Sequence, residues 1–167
     1  MGIAIAVVSG KGGTGKTTTV GAVASCLASR GHKTLCIDCD VGLKNLDITL
    51  GLTGKTTLDF LDVLSGSASL NEAAVEHPDI ENLFFISAPA TAAPENIDAE
   101  KMAGLVSEVK EEFEYCFIDA PAGIGPGFRL AVAGADCAIV VAAGDTPSMR
   151  DGQRTVAELG RLGINNT

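Results

Sequence analysis

Five short runs rich in Ile, Val and Phe, apolar on both faces, alternate with longer segments of helical period, and this alternation restricts the chain more than any other feature. The runs are Ile3 to Val8, Thr34 to Ile37, Leu83 to Ile86, Tyr115 to Ile118 and Cys137 to Val141, each closed by a turn residue. A strand with one wet face alternates apolar and polar side chains; these do not, so they predict strands buried on both sides. Helices are predicted over Lys16 to Ser29, Leu58 to Leu64, Ala99 to Phe113, Phe128 to Ala133 and Met149 to Leu162. In the third, Met102, Leu105, Val106 and Val109 recur at helical spacing, while Lys101, Glu108, Lys110 and Glu111 occupy the opposite face. A further short helix is predicted over Leu70 to His77, before Pro78. Strand and helix in turn predict an α/β fold, a mostly parallel sheet with helices on both faces. A chain of 167 residues makes one domain, 1–167. Gly163 to Thr167 stand where a helix-to-strand turn feeds a sixth strand, so a C-terminal truncation is expected.

Glycine accounts for 20 of the 167 residues, above the usual ~7%, with no repeat period, so the excess belongs at special turns. Gly10-Lys11-Gly12-Gly13-Thr14-Gly15-Lys16-Thr17 fits GxxxxGK[ST] and lies between the first strand and the first helix, the context a phosphate-binding loop requires. Glycines at 10, 12, 13 and 15 free the backbone to turn successive N–H groups toward one anion, and the helix start adds its positive dipole end. Gly10 to Thr18 are therefore the expected nucleotide-binding residues, with Lys16 against the β- and γ-phosphates and the Thr17 hydroxyl on Mg²⁺. Lys11 is a second lysine that an ordinary phosphate loop does not need.

Two strand ends carry carboxylates: Cys36-Ile37-Asp38-Cys39-Asp40 and Phe117-Ile118-Asp119-Ala120-Pro121-Ala122-Gly123. In open α/β sheets ligands bind outside the carboxyl ends of the strands, so Asp38, Asp40 and Asp119 are expected near the phosphate loop. Asp119 suits the metal, acting through a bound water. Asp40, past the strand end, suits orientation of the attacking water. Asp38 supports either the loop or the outer shell of the metal.

KGGTGKTT resembles the deviant Walker A motif of the MinD/ParA family of ATPases. Asp40 to Asp47 is similar to the family's first switch segment, with DxGLxNLD spacing. DAPAG at 119–123 resembles its second switch, and Ser148-Met149-Arg150-Asp151 resembles an SxRD helix start. The MinD branch is favoured, because the Pro-Gln-Gly typical of the ParA branch is missing after Asp40. The resemblance implies a P-loop NTPase fold and an ATP- and Mg²⁺-dependent homodimer in which Lys11 crosses to the partner's nucleotide. It also implies hydrolysis that resets the switches, regulatory and septum-inhibitor protein partners of the Min type, and septum placement at the inner face of the cell membrane. Attachment there uses a C-terminal amphipathic helix that nothing in this chain resembles. Ala88 to Ile97 and Gly144 to Pro147 depart from the family pattern near surfaces used for dimers and partners. The alternatives are a ParA-like or flagellar-number regulator, or a catalytically inactive interaction domain.

Other features bound the reading. With 12 Lys and Arg against 21 Asp and Glu, the net charge of −9 disfavours a nucleic-acid partner; aromatics, at 4%, supply few stacking platforms. No apolar run approaches a membrane span, and the N-terminus lacks the basic region of a signal peptide, so a cytoplasmic chain is expected. Five cysteines, an odd number, agree with a reducing compartment. Cys36-x-x-Cys39 straddles a strand end rather than opening a helix, unlike thioredoxin-type pairs. His32 and His77 are expected at the surface.

Overall fold

The computed structural model describes residues 1–167. Six strands form one sheet in the order β3-β4-β2-β5-β1-β6: β1 Ile3–Val8, β2 Thr34–Asp38, β3 Val75–Glu76, β4 Leu83–Ile86, β5 Tyr115–Asp119 and β6 Cys137–Val140. Every neighbouring pair is parallel except β3 and β4. The helices are α1 Lys16–Ala28, α2 Leu46–Thr49, α3 Phe60–Ser65, α4 Leu70–Ala73, α5 Ala99–Glu112, α6 Pro126–Val132 and α7 Thr146–Arg161, with a 3-10 turn at Pro94–Asn96. None is long and apolar enough to cross a membrane.

All five expected strands are present, and the fold class is the expected one. The segment Leu70 to His77 corrects the single helix expected there. Ser69 and Glu72 form a capping box that starts α4, but Ala74 turns to extended backbone (ψ 110°) and Val75–Glu76 pairs antiparallel with Phe85 and Phe84. A β-branched residue beside an open sheet edge gains more from the ladder than from a further helical turn. Capping also moves other boundaries. Asp59 starts α3 through a reciprocal box with Asp62, and Asp145 accepts from the Ser148 N–H to start α7 three residues earlier than apolar period alone indicates.

Alternate side chains of the central strands feed two cores. Ala4, Leu35, Ile37, Cys116 and Ile118 pack with Met102, Leu105, Val106 and Val109 of α5 and with Phe128 of α6. Val7, Cys36 and Phe117 pack on the opposite face with Val20, Ala24 and Ala28 of α1. The carboxyl ends of β1, β2 and β5 thus emerge side by side between two helical layers. After α7 the chain returns alongside β6, where the Ala138 N–H donates to the Asn166 carbonyl at 3.0 Å.

The helix α5 offers a clean test of these local forces. Asp98 caps it by accepting from the Glu100 and Lys101 amides, so Asp98→Ala is expected to cost about 1 kcal/mol in urea denaturation. Gly104 lies on the exposed face, where an added Cβ meets no atom within 4 Å, and Gly104→Ala is expected to stabilise by roughly 0.5–1 kcal/mol. A destabilising Gly104→Ala contradicts this account of the helix.

Candidate functional site

The segment between β1 and α1 folds into a cradle for two local reasons. Gly13 (φ 74°) and Gly15 (φ 95°) occupy the left-handed region, which lets the chain reverse into the helix without side-chain clash. Gly10 serves differently: a Cβ there meets the Asp151 Cβ at 2.6 Å, so its glycine permits close approach of α7. Gly12 needs neither device, which corrects the expectation that all four glycines act through backbone conformation. Ser9 roots the loop, its hydroxyl donating to the Lys11 carbonyl at 2.6 Å and its own carbonyl accepting from the Gly123 N–H at 2.9 Å.

No side chain caps the start of α1, and no acidic residue lies in its first turn. Its first amides, with the helix dipole behind them, face a cavity of about 410 Å³. Gly12, Gly13, Gly15, Lys16, Thr17 and Thr18 line one side; Asp40, Leu43, Asn45 and Ala122 line the other. The Thr14 Oγ1 is buried without a hydrogen-bond partner. An anion in the cavity supplies acceptors for donors that the protein leaves free.

The three aspartates take three different positions. Asp38 and Asp119 are register partners at the ends of β2 and β5, both buried. Burial pushes the Asp119 carboxyl up to about 6, with the Asp40 charge adding to the rise while Thr17 and Lys16 pull it down. Its Oδ1 is buried with no partner. An unpartnered carboxylate oxygen beside a threonine hydroxyl is an oxygen donor set suited to a hard divalent cation or its water. Asp40 lines the cavity itself; its carboxyl is raised by burial and lowered by Lys16. Asp38 is committed elsewhere, accepting from the Asp40 N–H at 2.8 Å and the Leu46 N–H at 3.2 Å. Of the two expectations for Asp38, the geometry supports the loop. Burial raises its carboxyl to about 7 against the lowering effect of those two amides.

Lys11 is not in the cavity. Its ammonium lies 3.7 Å from the Asp145 carboxylate at the start of α7, with both side chains about half exposed (47%). Leu43, Asn45 and Ala122 join the site; they lie within the two switch-like motifs after β2 and β5, but sequence reasoning gave them no site role. Cys36 and Cys39 point into opposite cores, their thiols pushed well up by burial. His32 is partnered with Glu114 at 3.0 Å, while His77 braces the fold, its Nδ1 accepting from the Asp79 and Ile80 amides and its Nε2 2.9 Å from the Leu50 carbonyl.

Known proteins resemble the chain along nearly its whole length. The AAA domain family matches residues 2–159. The septum site-determining protein MinD of Thermotoga maritima is 42% identical over 166 residues, 99% of this chain and 61% of that protein. MinD of Bacillus subtilis is 39% identical over 160 residues, 95% of this chain and 60% of the relative. Among solved structures, the MinC:MinD cell division complex of Aquifex aeolicus superimposes with a TM-score of 0.89 at 38% identity, covering 98% of this chain and 66% of that one. MinD of Pyrococcus horikoshii complexed with Mg-ADP gives 0.86 at 29% identity, covering 98% and 67%. The chain spans about three fifths of the length of the curated relatives.

The buried Asp38 has a measurable consequence in the nucleotide-free chain. Its folded pKa, about 7, lies above the unfolded value of about 3.9, so the native state holds a proton that the unfolded state releases. Stability is therefore expected to fall as pH rises from about 4 through 7. The thermal midpoint is expected to be lower at pH 8 than at pH 5, and Asp38→Asn to flatten that slope. A variant slope equal to that of the unaltered chain contradicts the assignment.

Proposed function

We propose, from the premise that this chain belongs to the AAA domain family in its MinD/ParA branch of P-loop ATPases, that it forms the nucleotide-binding domain of a MinD-like cell-division ATPase. One observation carries this reading: an uncapped helix start, lined by glycine and lysine, faces a cavity, and Thr17 in that lining lies against Asp119, whose buried Oδ1 has no partner. ATP and Mg²⁺ fit these two deficits together, the triphosphate accepting from the free amides and the cation answering the carboxylate. Bound Mg²⁺ offsets phosphate charge.

The residues divide the work by position. The loop from Gly12 to Thr18 holds the triphosphate, with Lys16 beside the β- and γ-phosphates. Thr17 and Asp119 hold the metal, directly and through water. Asp40, on the cavity wall opposite the loop, orients the attacking water. Lys11, outside its own cavity and paired only at the surface, reaches the nucleotide of a second copy in an ATP-dependent dimer, adding a positive charge where negative charge develops. Hydrolysis then releases the segments after Asp40 and Asp119. This cycle governs reversible attachment to the inner face of the membrane, with Min-type regulatory and septum-inhibitor partners. A MinC:MinD complex among the structural neighbours supports that choice of partners.

Two substitutions separate binding from assembly in the intact protein. Lys16→Ala is expected to lower ATP turnover by about 10²-fold or more; full turnover rejects the site. Lys11→Ala is expected to keep nucleotide binding and lose the ATP-dependent dimer in sedimentation velocity, and an unchanged dimer shows that Lys11 does not act across the interface.

A further inference from the structure

The loop that carries Asp40 is pinned at both ends by one side chain. Asp38 Oδ1 accepts from the Asp40 amide at 2.8 Å, and Oδ2 accepts from the Leu46 amide at 3.2 Å. A single carboxylate thereby closes the segment Cys39 to Asn45. The segment does not relax into a regular turn: Gly42 (φ 97°) and Lys44 (φ 43°) are both left-handed, and for lysine this conformation is unfavourable and needs surrounding restraint. Inside the loop the Lys44 N–H donates to the Asp40 carbonyl at 3.2 Å and the Val41 N–H to the Cys39 carbonyl at 3.0 Å. Beyond it, Leu46 is fully buried in the core beneath α1. Asp38 itself is 1% exposed, and both of its oxygens are taken by these two amides.

We propose that Asp38 is a positioning residue for hydrolysis: by holding the Asp40 and Leu46 amides, its two carboxyl oxygens keep Asp40 facing the nucleotide cavity. This role rests on the ATPase reading above. A buried acid with both oxygens committed to backbone amides acts on the reaction only through the loop it holds. The expected signature is a loss in turnover without a matching loss in nucleotide affinity.

The test uses the intact protein. Asp38→Asn keeps the size of the side chain but replaces one acceptor by a donor, so it releases one end of the loop. A misplacement of this kind is expected to lower kcat by at least about tenfold while KM for ATP changes by less than about threefold. In an Asp40→Ala background the same substitution is expected to lower kcat by no more than about twofold, because its effect passes through Asp40. Hydrogen exchange at the Asp40 and Leu46 amides is expected to accelerate about tenfold or more, with α1 amides unaffected. If Asp38→Asn does not fold, Asp38→Ser, which also lacks the second oxygen, is measured in the same way. Unimpaired turnover, a full additional loss in the Asp40→Ala background, or unchanged exchange at the two amides overturns the role. A wild-type protein without ATP turnover overturns the ATPase reading and this role together, whereas an active wild type with an unimpaired Asp38→Asn overturns this role alone.

Discussion

The unpaired amides at the start of α1 are the constraint around which the rest is arranged. A helix of 13 residues normally satisfies its first N–H groups with a capping side chain. Here Gly15 stands at the cap position and offers none, so the donors remain directed into the cavity. The same edge of the sheet holds the unpartnered Asp119 Oδ1 and Thr14 Oγ1. Unmet donors beside an unmet carboxylate cost stability in the free protein and are relieved together by an anion with a cation. The site is therefore complementary to a charged pair, and the charge of either partner alone leaves one of the two deficits in place.

Topology makes this concentration of polar groups tolerable. With β5 between β1 and β2, the phosphate loop, Asp119 and Asp38 emerge from neighbouring strands, and the two cores hold those strands from both faces. Crossovers on opposite faces leave a crevice at the carboxyl edge, where α/β sheets accept ligands. Two packed cores lie beneath, and the segments after Asp38 and Asp119 contribute Asp40, Leu43, Asn45 and Ala122 to the cavity wall. Gly123 (φ 88°) allows the second of these to turn, and its amide ties it to Ser9 at the root of the cradle.

Much of this arrangement was legible in the sequence, and what was hidden has physical causes. The five buried strands could be found because their apolar runs are local and uninterrupted, and the phosphate loop because its glycines and lysine lie within eight consecutive positions, Gly10 to Thr17. The strand β3 and the helix α2, of two and four residues, are too short for any period to register. The ion pair of Lys11 with Asp145 and the contact of Gly10 with Asp151 join residues far apart in the chain, so no local pattern carries them. Asp38 was placed near the site by its strand end, but its direction depends on where the Leu46 amide falls after the loop has closed. Residue type and spacing singled out candidate groups; the packing decided which line the cavity and which hold the loop.

The central claim, that the cradle and Asp119 form one site for a triphosphate with its metal, is tested most directly by calorimetric titration of ATP into the intact protein, with and without Mg²⁺. The account predicts saturable binding of one ATP per chain that strengthens when Mg²⁺ is present, and a Mg²⁺ effect that disappears in Asp119→Asn. Absence of binding, or an affinity indifferent to Mg²⁺ in both proteins, contradicts it.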